Sequence, residues 1–521
     1  MYNKLIPYIR SGSMFSKVYS IGLFGMNTYT VGVEATLDSG MSRFDIVGLP
    51  DAAVSESRER VRAATKNNGL PYPSGRITIN LSPADKRKEG PVYDLPILIA
   101  LLSAENYFKT DLSKTCFFGE LSLNGRLCRV NGALPMVIHA REQGFDRVFI
   151  PAANSNECSI VEGIDIYPIE DVAALIEHLK GRKKAEKLTP GSVREVSDCA
   201  SIFDYSDVKG QFQAKRALEV AAAGGHNTLM IGPPGSGKSM LAKRIPTILP
   251  DMTFEESLET TKLYSIAGEL SASASLITSR PFRSPHHTIS AVGLSGGGKI
   301  PKPGELSLAH HGVLFLDELP EFSKQSMEAL RQPLEDGKIT IARVSGTLTY
   351  PCDIMLVCAM NPCPCGYYGH PTRPCTCPKG MPAKYLSKVS GPLLDRFDIH
   401  IEVPQVDFKK LSDDKPAEPS SKIKERVNAA RLIQRERFKG SDTKCNSKMT
   451  PVQTRSFCKP DEKGRQLLEK CFDSLGLSAR AYDKILRVAR TVADLEGSEE
   501  IKFEHVAEAI QYRSLDRKYW K

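Results

Sequence analysis

The sequence predicts an α/β multidomain protein with a phosphate-binding core built on a parallel sheet. In the core, the apolar run Thr228–Ile231 leads into the glycine-rich motif Gly232–Ser239 and then into a helix, the order of a strand–loop–helix unit. Residues 14–180 alternate strand-like and helix-like patterns, which indicates a separate α/β domain before the core. Residues 421–521 have helical patterns only, which indicates a helical domain after it.

Composition limits the class of protein before any motif is considered. The 521 residues, 41% of them hydrophobic and 25% charged, predict two to four globular domains. A net charge of +9 permits a polyanionic partner without requiring one. No apolar run is long enough for a membrane span, so no membrane partner is expected. The chain has thirteen cysteines, a nucleotide motif and no recognisable secretory signal, which favours a location in the reducing cytoplasm. Residues 1–13 are expected to be a flexible extension.

The first domain, residues 14–180, is expected to contain strands and helices in alternation. The predicted strands are Tyr29–Ala35, Arg76–Leu81 and Arg147–Ile150, and the predicted helices are Leu95–Glu105 and Asp171–Lys180. A linker is expected at residues 181–200, where a basic cluster precedes Thr189-Pro190-Gly191-Ser192. This cluster favours a solvated boundary over a dedicated nucleic-acid patch.

The motif Gly232–Ser239 predicts a nucleotide site. Its sequence, GPPGSGKS, matches G-x-x-x-x-G-K-[ST], in which the glycines let backbone amides turn inward around phosphates. Lys238 is expected to reach the β- and γ-phosphates, and the Ser239 hydroxyl to bind Mg²⁺. A helix predicted from Lys238 to Leu249 adds amide donors and a favourable dipole. The expected nucleotide ligands are Gly232, Pro233, Pro234, Gly235, Ser236, Gly237, Lys238 and Ser239.

Two further apolar strands end in polar residues within the core, residues 201–405. Val313–Leu316 is followed by Asp317, which suits a water-bridged Mg²⁺ contact, and by Glu318, which suits orientation of the attacking water. Ile354–Met360 is followed by Asn361. The Asn361 amide either holds the γ-phosphate or the lytic water, or simply caps the strand.

Residues 281–305 are an expected insertion between the phosphate loop and Asp317. They contain His286 and His287, which either touch a substrate or are ordinary loop histidines. A helix is then predicted over Phe322–Leu334. A β-hairpin follows, with strands Lys338–Ile341 and Thr347–Tyr350 and with Arg343 near its tip.

Four cysteines lie close together after Asn361. They form two C-x-C pairs around a Gly/Pro/Tyr loop: Cys363, Cys365, Cys375 and Cys377. Thiolates at this spacing can close a tetrahedral Zn²⁺ site, which would order a short loop that has no core of its own. His370 is a substitute ligand, and free thiols or a redox pair are the alternatives.

The segment Gly391–Asp398 precedes a predicted strand, Ile399–Val403. Arg396 is expected at a subunit edge, where it would act on a neighbour's γ-phosphate, or else in an intrachain salt bridge. After a linker at residues 406–420, helices are predicted over Ser421–Phe438, Asp461–Leu475, Ser478–Leu495 and Phe503–Tyr512. The third of these helices contains three arginines at helical spacing: Arg480, Arg487 and Arg490. They are expected to form either a stripe that faces phosphates or a solvated basic face.

The first domain resembles the proteolytic domain of Lon proteases. The resemblance depends on three segments: EGPVYDLP at 89–96, which leads into a helix, GELSLNGR at 119–126, and VNG at 130–132, which a second helix follows. That family needs a nucleophilic Ser and a Lys base. Val92 and Met136 occupy the two matching positions, so the resemblance implies a Lon-protease-like domain without peptidase activity.

Residues 200–515 resemble AAA+ ATPases, and the whole chain resembles the YifB/ComM family of magnesium-chelatase-like proteins. The matching segments are GPPGSGKS, LFLDE, the hairpin, NPCPCG and LLDRFD, together with the Lon-like domain. The resemblance implies a hexameric, ATP- and Mg²⁺-dependent DNA helicase that promotes branch migration when incoming DNA recombines in natural transformation. The implied roles are Walker A for Lys238 and Ser239, Walker B for Asp317 and Glu318, sensor 1 for Asn361, finger for Arg396 and sensor 2 for Arg480.

Two other function classes stay open from the residues alone. One is a chelatase-type motor that remodels a protein partner for metal insertion. The other is a non-enzymatic nucleotide-switch scaffold, which Glu318 and Arg396 disfavour because a scaffold needs no hydrolytic residues.

Overall fold

The structure is a computed structural model, and its chain divides into two units. It describes residues 14–520 except 190, 192–194, 197–202, 299–301, 344–345, 406–416, 476–477 and 514. The expected extension 1–13 and most of the expected linker 406–420 therefore lie outside the described residues. The first unit consists of residues up to Val196 together with 261–277 and 342–348, and the second unit contains the rest.

The first unit is an α/β structure on a mixed sheet. Its strands are β1 (Met14–Phe24), β2 (Asn27–Asp38), β3 (Arg43–Val47), β4 (Arg76–Ser82), β5 (Thr115–Phe117), β6 (Glu120–Leu121), β7 (Leu127–Cys128), β8 (Arg147–Pro151), β9 (Asp165–Ile169), β10 (Glu195–Val196) and β12 (Leu276–Ile277). Its helices are α1 (Ala52–Asn67), α2 (Asp94–Ala104), α3 (Ala133–Glu142), α4 (Ser155–Cys158) and α5 (Val172–Leu179). Seven strands form one sheet in the order β3-β4-β2-β1-β5-β8-β9. Helix α2 is buried on almost every side, which explains its nearly unbroken apolar sequence.

The second unit holds the predicted core and the C-terminal helices. Its strands are β11 (Thr228–Ile231), β13 (Phe282–Arg283), β14 (Val313–Leu316), β17 (Met355–Met360) and β18 (Ile399–Glu402). The strands β15 (Lys338–Arg343) and β16 (Gly346–Pro351) have residues in both units. Its helices up to β18 are α6 (Phe212–Gly224), α7 (Lys238–Arg244), α9 (Ala291–Ser295), α10 (Glu305–Leu308), α11 (Lys324–Ala329), α12 (Arg331–Asp336), α13 (Met381–Leu386) and α14 (Gly391–Leu394); α8 (Phe254–Ala267) has residues in both units. The C-terminal helices are α15 (Ser420–Arg437), α16 (Pro451–Phe457), α17 (Glu462–Leu475), α18 (Ala479–Leu495), α19 (Phe503–Gln511) and α20 (Leu515–Trp520).

The central sheet of the second unit is parallel, as expected from the fully apolar strands. Its order is β13-β14-β17-β11-β18, and β11 lies between β17 and β18. Thr228 pairs with Val357 on one side and with Ile399 on the other. Because parallel strands share a direction, the segments that follow β11, β14 and β17 emerge at one edge, and those that precede β11 and β18 emerge at the other.

Two predicted helices of the core are shorter than expected, and proline explains both differences. The helix that starts at Lys238 ends at Arg244, and a 3₁₀ turn containing Pro246 follows it. The helix predicted over Phe322–Leu334 is divided into α11 and α12. Pro333 has no N–H for the carbonyl of Ala329, so one continuous hydrogen-bond ladder cannot form there. Among the described residues, none of the helices has the combined length and apolarity that a bilayer span requires.

Candidate nucleotide site and cysteine cluster

The loop after β11 has the backbone of a phosphate-binding loop. Gly235 and Gly237 have φ values of +73° and +91°, which favour glycine because a side chain is strained there. A Cβ on Gly232 would lie 2.2 Å from the carbonyl oxygen of Val403, so only glycine fits beside β18. Helix α7 begins at Lys238, directly after the loop, and its first amides therefore face the space that the loop encloses.

The side chain of Lys238 is held inside this loop. Its Nζ donates to the carbonyl oxygens of Gly232 and Pro233 at 2.8 and 2.9 Å. Burial lowers the pKa of Lys238 to about 8, although the carboxylates of Asp317 and Glu318 oppose this shift. Phosphate oxygens are charged acceptors and so form stronger bonds with an ammonium group than these neutral carbonyls do.

Ser239 and Asp317 lie together and would hold the ion of a candidate Mg²⁺ site. The Ser239 hydroxyl donates to Asp317 Oδ2 at 2.5 Å. Hydroxyl and carboxylate oxygens are the protein ligands that Mg²⁺ prefers beside a nucleotide, so these two residues fit the ion. When bound, Mg²⁺ would neutralise developing phosphate charge. Asp317 Oδ1 accepts the amide of Glu318, which fixes the carboxylate at the end of β14.

Glu318 and Asn361 lie at the same edge of the sheet as the loop. Glu318 has a φ of +53°, unusual for a residue with a side chain, and its side chain is 55% exposed toward solvent. Asn361 follows β17, and its Oδ1 accepts from Lys238 Nζ at 3.2 Å. The structure therefore brings together five of the predicted site residues at one edge: Lys238, Ser239, Asp317, Glu318 and Asn361.

His287 also lies at this site, where it contacts Glu318, and the sequence does not predict this contact. Its Nδ1 lies 3.6 Å from Glu318 Oε2, and its ring packs edge-on against Phe322. The contact follows from the position of β13 beside β14, because the segments after both strands emerge together. The sequence alone allows either a substrate contact or an ordinary loop position for His286 and His287, because it does not give the order of the strands.

Arg396 lies at the opposite edge of the same sheet. Asn227, the residue before β11, donates from Nδ2 to the carbonyl oxygen of Arg396 at 3.1 Å. The Arg396 side chain forms an ion pair with Glu335, whose own side chain is 60% exposed. The phosphate loop follows β11, so the strand separates Arg396 from the loop of its own chain.

Arg480 accompanies Arg396 at this far edge. Both side chains line a pocket of about 370 Å³ together with Glu335 and Asp395. Helix α18 is fixed there by Lys484, which lies one turn after Arg480. The Nζ of Lys484 lies 3.2 Å from Asp398 Oδ1. The structure therefore groups the predicted finger and the predicted sensor 2, and it places neither beside the Lys238 of the same chain.

The other two arginines of α18 have structural partners. Arg490 is buried, and its Nε lies 3.0 Å from Asp494 Oδ1. Arg487 donates to Thr454 Oγ1 at 3.2 Å and to the carbonyl oxygen of Ser447 at 3.1 Å. The three arginines therefore form neither a phosphate-facing stripe nor a solvated basic face together, because Arg490 is buried.

Comparison with known proteins identifies the family. Residues 204–411 match the model described as Magnesium chelatase, subunit ChlI, residues 33–154 match Subunit ChlI of Mg-chelatase, and residues 417–513 match its C-terminal model. The chain is 42% identical over 504 residues to Uncharacterized protein YifB of Escherichia coli, covering 96% of this chain and 97% of that protein. It is also 42% identical over 506 residues to Competence protein ComM of Haemophilus influenzae, with the same coverage. This chain belongs to the YifB/ComM family.

Membership in the YifB/ComM family confirms the predicted family and fold class. The magnesium-chelatase-like AAA+ domain makes the protein an ATPase that uses ATP and Mg²⁺. A weaker similarity, 29% identity over 174 residues, connects the chain to Lon protease 2 of Bacillus subtilis and covers 31% of each chain. It agrees with the Lon-like character expected of this YifB/ComM-family protein.

The four predicted cysteines of this family member form one cluster. The Cys363 sulfur lies 3.3 Å from that of Cys365 and 3.7 Å from that of Cys375, and all four sulfurs, including Cys377, lie within 4.8 Å of one another. A tetrahedral Zn²⁺ with 2.3 Å bonds needs sulfurs about 3.8 Å apart, so the four thiols fit the ion. His370 accepts backbone amides through Nδ1 and is not one of the grouped ligands.

One thiol of the cluster has the electrostatics of a metal ligand. Burial acts to raise the pKa of Cys365, but the backbone amides of Tyr367 and Thr376 and the neighbouring thiols together lower it to about 5. The thiolate is the form that binds metal. Cys363 is fully buried at the base of the cluster.

The predicted hairpin is present in the YifB/ComM-family chain. Strands β15 and β16 form a two-stranded sheet over Lys338–Arg343 and Gly346–Pro351. The backbone of Arg343 ends β15, as expected for a residue near the tip. Its side chain and residues 344–345 lie outside the described part of the structure.

Proposed function

We propose that this protein is a ring-forming AAA+ motor that acts on DNA, a helicase or translocase that moves branch points when incoming DNA recombines in natural transformation. The main support for a ring is the position of Arg396, at the edge of the sheet opposite Lys238 and the phosphate loop. A second support is the similarity to Competence protein ComM over nearly the whole chain. The chelatase-type motor stays the alternative, because the matching family models are named for magnesium chelatase.

The geometry of the central sheet supports assembly into a ring. Four residues of β11 separate Asn227, which is bonded to Arg396, from the loop that contains Lys238. At about 3.3 Å a residue, the strand alone spans about 13 Å. An arginine that serves phosphate transfer must touch the γ-phosphate. We infer that Arg396 and Arg480 serve the nucleotide of a neighbouring subunit, and that the ring contains six subunits.

The residues at the edge of the sheet where the phosphate loop lies each have a separate role in hydrolysis. Lys238 and the amides of α7 bind phosphates, while Ser239 and Asp317 hold Mg²⁺. Glu318 orients the attacking water, and Asn361 positions that water or the γ-phosphate. His287 is a positioning residue, since it contacts Glu318 and no other residue of this set.

The hairpin is the proposed DNA contact. In a closed ring it would be repeated once per subunit, so that each Arg343 faces one nucleic-acid backbone. This repetition lets a chain of modest net charge, +9, hold a polyanion. Single-stranded or branched DNA is the expected substrate.

DNA should stimulate ATP hydrolysis by the intact protein. We expect single-stranded and branched DNA to raise the rate of phosphate release, and binding to weaken with a log–log salt slope of about −0.7 per phosphate contact on single strands. Arg343→Ala should reduce stimulation. Lys338→Ala, which removes the same charge at the exposed base of the hairpin, should reduce it less. A chelatase-type function is supported instead if DNA neither binds nor stimulates at low salt while a metal-inserting partner protein does.

Purified protein should contain about one Zn²⁺ per chain. We propose Cys363, Cys365, Cys375 and Cys377 as its ligands, in a structural site with four sulfur ligands. Changing Cys375 and Cys377 together to serine should remove the metal in elemental analysis. The matched double change of Cys128 and Cys471, which lie outside the cluster, should not. Protein prepared without chelator but free of zinc would exclude this site.

The Lon-like domain should have no peptidase activity. Met136 is buried within α3, and Val92 lies in a short 3₁₀ turn before α2. Neither side chain can act as a base or a nucleophile. We propose that the domain instead assists assembly or substrate docking. ATP-dependent degradation of unfolded casein that disappears in Lys238→Ala would contradict this.

A further inference from the structure

The cysteine loop, residues 363–377, directly contacts the phosphate-binding loop, residues 232–239. Gly366, between Cys365 and Tyr367, is buried against Pro234 of the phosphate loop. A Cβ on Gly366 would lie 2.4 Å from Pro234 Cδ and 3.1 Å from its Cγ. This separation leaves no room for even a methyl group, so the two loops are packed together at this point.

The same two loops form part of the wall of one pocket, which Glu402, Pro404, Gln405 and Tyr519 also line. It has a volume of about 190 Å³ and is lined by Gly232 and Pro233 from the phosphate loop and by Pro362 and Tyr368 from the cysteine segment. Cys363 follows Asn361 by two residues, and Asn361 accepts from Lys238. The cysteine cluster is therefore connected to the nucleotide site twice, through the chain at Asn361 and through packing at Gly366.

The cysteine loop is held by polar contacts rather than by an apolar core: His370 Nδ1 accepts the amide of Arg373 at 3.0 Å, and Arg373 donates to the Tyr367 hydroxyl at 3.1 Å. Between Cys365 and Cys377 its residues are glycine, proline and polar or aromatic side chains, and most of them are exposed. Such a segment is ordered by cross-links more than by a core, and a metal held by four thiolates is a cross-link of this kind. Cys363, Cys365 and Cys375 lie on both sides of Gly366, so a shared ion would fix the glycine between them.

We propose that the metal-loaded loop 363–377 braces the phosphate-binding loop, so that occupancy of the four-cysteine site sets the affinity of the protein for MgATP. This inference rests on the zinc site proposed above. A thiol-bound Zn²⁺ holds Gly366 against Pro234 and thereby keeps the backbone of the loop in its binding conformation. Loss of the metal frees the cysteine loop and removes that support.

Two glycines of this region give a matched pair of variants. Gly366 and Gly380 both have a φ of +83°, so alanine is strained equally at either position. A Cβ at Gly380 meets nothing within 4 Å, whereas at Gly366 it overlaps Pro234. Gly366→Ala should therefore weaken binding of a fluorescent ATP analogue by about tenfold while zinc content stays at one per chain. Gly380→Ala should bind the analogue almost as the wild type does.

Metal removal tests the brace independently of these variants. Zinc is stripped from the full-length protein with a thiol-competing chelator, and analogue affinity is then measured in excess Mg²⁺ before and after Zn²⁺ is restored. We expect affinity to fall with the zinc content and to return with it. Zinc that is bound but removable without change in affinity would overturn the brace and leave the metal site standing. Protein that never contains zinc would overturn both, and equal affinity of Gly366→Ala and Gly380→Ala would overturn the brace alone.

Discussion

Glu318→Gln should bind MgATP normally and hydrolyse it 10²- to 10⁴-fold more slowly, on the order expected for a lost catalytic base. Glutamine keeps the size of the side chain but cannot accept a proton from the attacking water. The exposed carboxylate of Glu318 beside Asp317 and the phosphate loop is the observation behind this expectation. Binding is measured with a fluorescent ATP analogue, and turnover by phosphate release.

Two other variants define the limits of this experiment. Lys238→Ala should lose binding itself, because the phosphate-directed ammonium is gone. Glu321→Gln is the matched control, since Glu321 lies three residues later and forms an ion pair with Lys388 at 3.3 Å. It should hydrolyse ATP nearly as the wild type does. A wild-type rate for Glu318→Gln would assign water orientation to another residue.

The residues at the edge of the central sheet that contains the phosphate loop could be predicted from the sequence, because the motifs that identify them are local. An apolar strand followed by a glycine-rich motif, or by Asp317-Glu318 or Asn361, determines a strand end without knowledge of its neighbours. Parallel strands then bring those ends together. The grouping of these residues around Lys238 therefore followed from the class of sheet alone.

The missed features depend on neighbours that lie far away in sequence. His287 reaches Glu318 only because β13 is adjacent to β14, and periodicity does not encode strand order. Arg490 has the spacing of a surface stripe, yet its partner Asp494 allows it to be buried. The packing of Gly366 on Pro234 depends on the path of a loop. The break at Pro333, in contrast, was visible in the sequence and needed only the rule that proline cannot donate.

Arg396→Ala should bind ATP but lose roughly 10³- to 10⁵-fold in turnover, the effect expected of an arginine finger. Arg331→Ala is the matched control, because Arg331 also pairs with a glutamate, Glu328, but does not line the pocket at the far edge. Its turnover should stay close to that of the wild type. Arg480→Ala should behave like Arg396→Ala, since both arginines line one pocket.

Mixed subunits distinguish action within a chain from action between chains. Arg396→Ala subunits have an intact phosphate loop but no finger, whereas Lys238→Ala subunits keep the finger and cannot bind ATP. Each variant is inactive alone, whether Arg396 acts within its own chain or on a neighbouring chain. If the finger serves a neighbour, mixing creates interfaces where an intact loop meets an intact Arg396, and part of the ATPase activity returns. If it served its own chain, every subunit would lack one essential part and mixing would restore nothing. The position of Arg396, bonded through Asn227 to the edge opposite the loop, leads us to expect partial recovery.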